Sequence, residues 1–178
     1  MLKLKLDALK HEKTFRIEES LDWKNLELNG ESYPYFKPVA VKIEATFSRG
    51  RIDVKGSVNT GIIHPCDRCL GPVYLEINGK VDALYLPEDK KTKYVEKSVE
   101  LTDLDNTFYY NPNDELIDLE DRVIEAIVIE VPIKVLCSED CKGLCSYCGI
   151  NLNKHPDHVC PHLEKKESPF AILKEKFK

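Results

Sequence analysis

Five of the seven cysteines in this 178-residue chain fall in LCSEDCKGLCSYCGINLNKHPDHVC, residues 136–160, together with two of its five histidines. Thiols and imidazoles at that density can hold a metal, carry redox chemistry or staple the chain as disulfides. Cys145-Ser146-Tyr147-Cys148-Gly149 has the form of a zinc knuckle. Two thiolates three positions apart converge on one ion at about 2.3 Å if the chain turns sharply, and the following glycine permits the turn. Cys137-x3-Cys141 precedes this pair and His158-x-Cys160 follows it. Leu144, Ile150 and Leu152 are too few to make a core, so a metal would supply the missing folding energy. The stretch therefore predicts a structural metal site with zinc as its occupant. Cys145 and Cys148 form the first ligand pair and Cys160 the third, while Cys137 or Cys141 competes with His158 for the fourth place. The surplus leaves open a spare thiol, a second ion or an iron–sulfur cluster. A catalytic zinc is not expected, because no His-Glu-x-x-His or similar pattern occurs.

The other two cysteines lie in HPCDRCLGPV, residues 64–73. A redox Cys66-x2-Cys69 pair would want a helix N-terminus to lower the first thiol's pKa, and Gly71-Pro72 followed by a strand pattern does not offer one. As a metal site, Cys66, Cys69 and His64 fall one ligand short unless another segment contributes. The remaining reading is a turn with two buried thiols. Arg68, held between the two cysteines, could face a phosphate or a carboxylate.

The chain is long enough for one well-packed domain with a small appendage. MLKLKLDALKHEK at its start alternates apolar and charged residues without an apolar run, which predicts neither a signal peptide nor a membrane span, hence a cytoplasmic protein. Clustered cysteines in a reducing compartment are more often ligands than disulfides. The net charge of −5 is localised: residues 1–97 carry 17 basic and 15 acidic side chains, residues 98–131 carry 1 and 10, and residues 132–178 carry 8 and 6. One acidic block makes up the deficit, so the flanking parts are free to present basic faces.

Elements able to position the cysteines are read from periodicity. Leu2, Leu4 and Leu6 alternate as one strand; Val39, Val41, Ile43, Ala45 and Phe47 run into the turn Ser48-Arg49-Gly50-Arg51 and alternation resumes at Ile52 and Val54, predicting a long hairpin. A further strand covers 73–86, with Asn78-Gly79 marking a hairpin turn or a bulge. Residues 87–98 read as a polar loop and TFYY, 107–110, as a short strand. Leu119, Val123, Ile127 and Val131, with Ile124 and Val128, give a helical stripe over about 116–131, capped by Asp114 or Asp118 and ended by Pro132. The predicted fold is α+β, a mostly antiparallel β-domain over residues 1–135 covered by one long helix, with a cysteine-rich zinc lobe and tail over 136–178.

The order of Cys66-Asp67-Arg68-Cys69-Leu70-Gly71-Pro72, an acidic helix and LCSEDCKGLCSYCGINLN resembles the YceD-like proteins of bacteria and plastids. The family's cluster closes with Cys-x-Cys, where this chain has His158-Val159-Cys160, and histidine can replace cysteine at zinc. The ending SPFAILKEKFK also resembles the family's closing segment. The resemblance implies a non-enzymatic role in accumulation of large-subunit ribosomal RNA, with pre-ribosomal RNA or a ribosomal protein as partner and no small-molecule substrate. Some members lack the C-terminal cluster yet keep the mid-chain motif, which implies that the metal serves folding and that the CDRCLGP turn lies nearer the shared function. For phosphate contacts the candidates are Arg49 and Arg51 at the hairpin tip, Arg68, and Lys90, Lys91 and Lys93 in the polar loop. The alternative is a zinc-stabilised adaptor that binds a basic protein through its zinc lobe and acidic helix and does not touch RNA.

Overall fold

The computed structural model describes residues 2–88 and 106–161. They are mostly strand, with two helices among the described residues. Two compact units result: residues 2–64, 74–88 and 106–133 form the first, and residues 65–73 and 134–161 the second.

The first unit is built on a six-stranded sheet in the order β2-β4-β5-β6-β7, with β3 paired to β4 off that path. Its strands are β2 (Thr14–Leu21), β3 (Asn25–Leu28), β4 (Glu31–Ser48), β5 (Arg51–Pro65), β6 (Pro72–Pro87) and β7 (Thr107–Tyr110). β4 owes its length to strict alternation: Val39, Val41, Ile43 and Ala45 are buried while Lys42, Glu44 and Thr46 face solvent. It turns into β5 at Arg49 and Gly50, whose φ angles of 52° and 82° suit the two-residue hairpin predicted there. Ala45 then pairs with Val54 and Val41 with Val58, so apolar residues meet on one face. β7 joins the edge parallel to β6.

A separate two-stranded sheet pairs β1 (Lys3–Lys5) antiparallel with β8 (Leu116–Asp118). This pairing corrects two predictions. The alternation of Leu2, Leu4 and Leu6 does not continue as strand, because Leu6 begins helix α1 (Leu6–Glu12), on which Leu9 is buried one turn later. The second helix, α2 (Glu120–Ile129), is ten residues rather than one long helix from 116. Residues 116–118 bond to 3–5 instead, and Leu2 O accepts the Leu119 amide at 2.9 Å. The stripe itself is present: Leu119, Val123 and Ile127 are fully buried, each worth roughly 1.5–3 kcal/mol relative to exposure. Asp118 Oδ1 accepts the Glu120 amide at 2.9 Å, satisfying one of the free donors of the first turn.

The chain does not turn at Asn78-Gly79, and β6 runs straight through it. A Cβ built on Gly79 would stand 2.3 Å from the Ala126 carbonyl oxygen. Glycine is there to let α2 approach the sheet, a use that a dipeptide signal cannot distinguish from a turn.

Candidate metal centres

In the second unit the cysteines fall into two groups. Cys66, Cys69, Cys137 and Cys141 form one, and Cys145, Cys148, His158 and Cys160 the other; in each, the four ligand atoms lie within 4.8 Å of one another. Both groups could hold a metal ion. Four thiolates about 2.3 Å from a tetrahedral ion stand about 3.8 Å apart. The observed Cys66–Cys141 and Cys69–Cys137 separations are 3.8 and 3.6 Å. In the second group Cys148 Sγ is 3.2 Å from His158 Nε2. None of the seven cysteines is in a disulfide, and the paired sulfurs at these separations are too far apart for an S–S bond of about 2.05 Å.

The two groups share one local device. In the first, Leu70 N donates to Cys66 O at 2.8 Å and Cys66 N to Gly71 O at 2.7 Å. In the second, Gly149 N donates to Cys145 O at 2.9 Å and Cys145 N to Ile150 O at 2.8 Å. Each Cys-x-x-Cys is thus a knuckle closed by the same pair of bonds, and in each the residue after the second cysteine has positive φ, 58° at Leu70 and 73° at Gly149. Leucine accepts that conformation at a cost of roughly 1–2 kcal/mol. Leu70 is also 68% exposed, so no packing of its side chain offsets the cost.

Cys66-x2-Cys69 lacks two ligands in sequence, and the fold brings them from far along the chain: Cys141 lies 75 residues beyond Cys66 and Cys137 lies 68 beyond Cys69. Asp67 N donates to Val135 O at 2.9 Å and Val135 N to Asp67 Oδ2 at 2.7 Å. Arg68 Nη1 donates to the carbonyls of Glu139 and Cys141 at 3.2 and 2.8 Å, and Leu144 N donates to Arg68 O at 3.1 Å. Arg68 therefore spends Nη1 on holding residues 139–141, a role its position between two cysteines did not reveal. His64, weighed as a ligand, is stacked on Tyr33 at 4.6 Å between ring centroids. Cys137 and Cys141 stand with Cys66 and Cys69, and His158 completes the other group.

The protonation of the thiols follows their hydrogen bonds. Burial opposes ionisation of Cys66, but the amides of Arg68, Cys137 and Cys69 and the Cys69 thiol outweigh it and bring Cys66 down to about 6. Cys141 is lowered by the Asn153 side-chain amide, whose Nδ2 lies 3.3 Å from its sulfur. Cys137, hydrogen-bonded toward Cys141 and Cys69, is pushed up to about 12. In the second knuckle the amides of Cys148 and Tyr147 bring Cys145 down to about 6. Each group thus contains at least one thiol biased toward the thiolate, Cys66 and Cys141 in the first and Cys145 in the second.

Of the phosphate-contact candidates, Arg49 lies in the β4–β5 turn and Arg51 begins β5, where it is paired bidentately with Asp53. Lys90, Lys91 and Lys93 lie outside the described residues. No helix among the described residues is long and apolar enough to cross a membrane.

The model of the family described as large ribosomal RNA subunit accumulation protein YceD matches residues 54–176, which include both knuckles. The chain belongs to the YceD family. An uncharacterized protein of Mycobacterium tuberculosis is 32% identical over 105 residues, 59% of this chain and 47% of its own length. The large ribosomal RNA subunit accumulation protein YCED homolog 1, chloroplastic, of Zea mays is 29% identical over 147 residues, 69% of this chain and 48% of that protein. Its Arabidopsis thaliana counterpart is 24% identical over 164 residues, covering 82% and 51%. The chain spans about half the length of the curated relatives it matches. No solved structure matches.

Proposed function

We propose that this YceD-family chain supports accumulation of large-subunit ribosomal RNA as a non-enzymatic assembly factor that binds pre-ribosomal RNA, a ribosomal protein or both. The observation carrying this reading is the family match over residues 54–176, which takes in both cysteine motifs in order. In the reading, zinc occupies the cysteine groups: a set that includes His158 suits zinc, and the closed knuckles leave no open ligand position for catalysis. Arg49, Arg51, Arg68, Lys90, Lys91 and Lys93 supply phosphate contacts, and the place of action is the cytoplasm, where the particle would be built.

The adaptor reading is favoured by the acidic block, 10 acidic against 1 basic residue over 98–131, which suits a basic protein better than RNA. Sedimentation of cell extract separates these. The expected result is co-migration with large-subunit precursors that weakens as salt rises, since phosphate contacts release counterions. Retention of a protein partner after nuclease digestion would favour the adaptor, and absence from precursor fractions at low salt would refute both.

A further inference from the structure

We propose that the second unit carries two metal centres of unequal lability: a clamped four-thiolate centre, and an open centre of three thiolates and one imidazole from which the ion exchanges with solution. The inference rests on the reading that both groups hold zinc, and concerns what distinguishes them.

The four-thiolate centre ties together two segments some seventy residues apart. Cys66, Cys69 and Cys141 are 0%, 7% and 3% exposed, and Cys137 is the exposed member. Cys66 Sγ accepts the Cys137 amide at 3.4 Å, and Cys141 Sγ accepts Asn153 Nδ2 at 3.3 Å. Asn153 is itself held, since its Oδ1 accepts the Lys142 amide at 2.8 Å. Separating the ligand pairs also breaks the Asp67–Val135 bonds and those of Arg68 to 139 and 141. Hydrogen bonds to ligating sulfurs hold their lone pairs and orient them, so such partners slow loss of the ion.

The other centre joins no distant segments. Its ligands come from one short stretch, residues 145–160, so release requires no separation of distant segments. Cys148 is exposed. His158 lines an open depression of about 420 Å³ shared with Ile150, Lys154, His155, Pro156 and Asp157. A chelator or a small thiol can enter there and displace the imidazole first. The clamped centre then keeps the Cys66–Cys69 loop in place while the 145–160 stretch responds to the zinc available around it.

The test is zinc release from the full zinc-loaded chain into excess EDTA, followed with a zinc-indicator dye. Two equivalents per chain, matching the two groups, should leave in two phases of equal amplitude, differing in rate by about tenfold or more. Cys148→Ser should remove the fast phase and keep the slow one. Asn153→Ala keeps all ligands of both groups and should accelerate the slow phase alone, a readout that survives if cysteine variants fold poorly. Release of both equivalents in a single phase, or a slow phase indifferent to Asn153→Ala, overturns the proposal and leaves the zinc reading intact. A chain that binds no zinc overturns both, and leaves the ribosomal role to its own test.

Discussion

At the scale of single residues, the molecule shows where local chemistry was bent to serve neighbours. Arg68 gives Nη1 to two carbonyls, and Leu70 stands in a left-handed conformation that its counterpart Gly149 adopts freely. Tyr35 is another such case: its hydroxyl is buried without a hydrogen-bond partner among the described residues. Burial pushes its phenol from 10.0 up to about 12. Tyr85 is likewise raised to about 12 by burial, against the pull of Arg122. In the unfolded chain these phenols ionise near 10, so stability is fully present below pH 10 and drains as pH rises toward 12. Tyr35→Phe removes an unsatisfied hydroxyl and should raise stability near neutral pH by about 1 kcal/mol. It should also flatten the loss above pH 10 in urea unfolding curves. An unchanged alkaline slope would show that Tyr35 ionises as readily folded as unfolded.

At the scale of elements, α2 and β6 meet through a glycine. Gly79→Ala sets a Cβ 2.3 Å from the Ala126 backbone oxygen, which no rotamer can relieve. Overpacking of this kind costs about 1–3 kcal/mol, and thermal unfolding should show the loss, while Asn78→Ala beside it on the exposed face should be near neutral. Alternation was enough to place the β4–β5 hairpin, because one face is buried and its turn is two residues. The apolar stripe of α2 was legible for the same reason. Its start was not, since residues 116–118 are strand only by virtue of a partner at 3–5. Strands β2 and β3 escaped periodicity altogether: Ile17 is the one buried residue of β2 and Leu26 that of β3, so neither shows a run of alternating core residues.

At the scale of the whole molecule, the two units draw stability from different sources. The first has a continuous apolar core from Leu2 to Ile127; in the second the buried cluster is three cysteines, with Val73, Leu136 and Leu144 partly buried against it. A unit so poor in apolar residues is one that bound metal would stabilise. On the proposed reading that the groups hold zinc, stripping the metal should abolish hydrogen-exchange protection at Leu144, whose amide bonds to Arg68 O, and at Cys145 and Gly149, whose amides close the second knuckle, while protection in β4 and β5 persists. Loss of protection in both units together would mean that the sheet also needs the metal.

The sequence by itself determined that the cysteines are spaced to be able to hold a metal, the knuckle at Cys145–Cys148 and the main hairpin, because spacing of a few residues and local periodicity encode these, and its two ordered motifs determined membership of the YceD family. Only the tertiary structure decided how seven cysteines and a histidine divide. Cys66 and Cys69 are short of ligands in sequence and Cys137 and Cys141 look like spares beside the second knuckle. Their meeting depends on backbone bonds between residues near 67 and 135, and a contact across some seventy residues leaves no mark in local spacing.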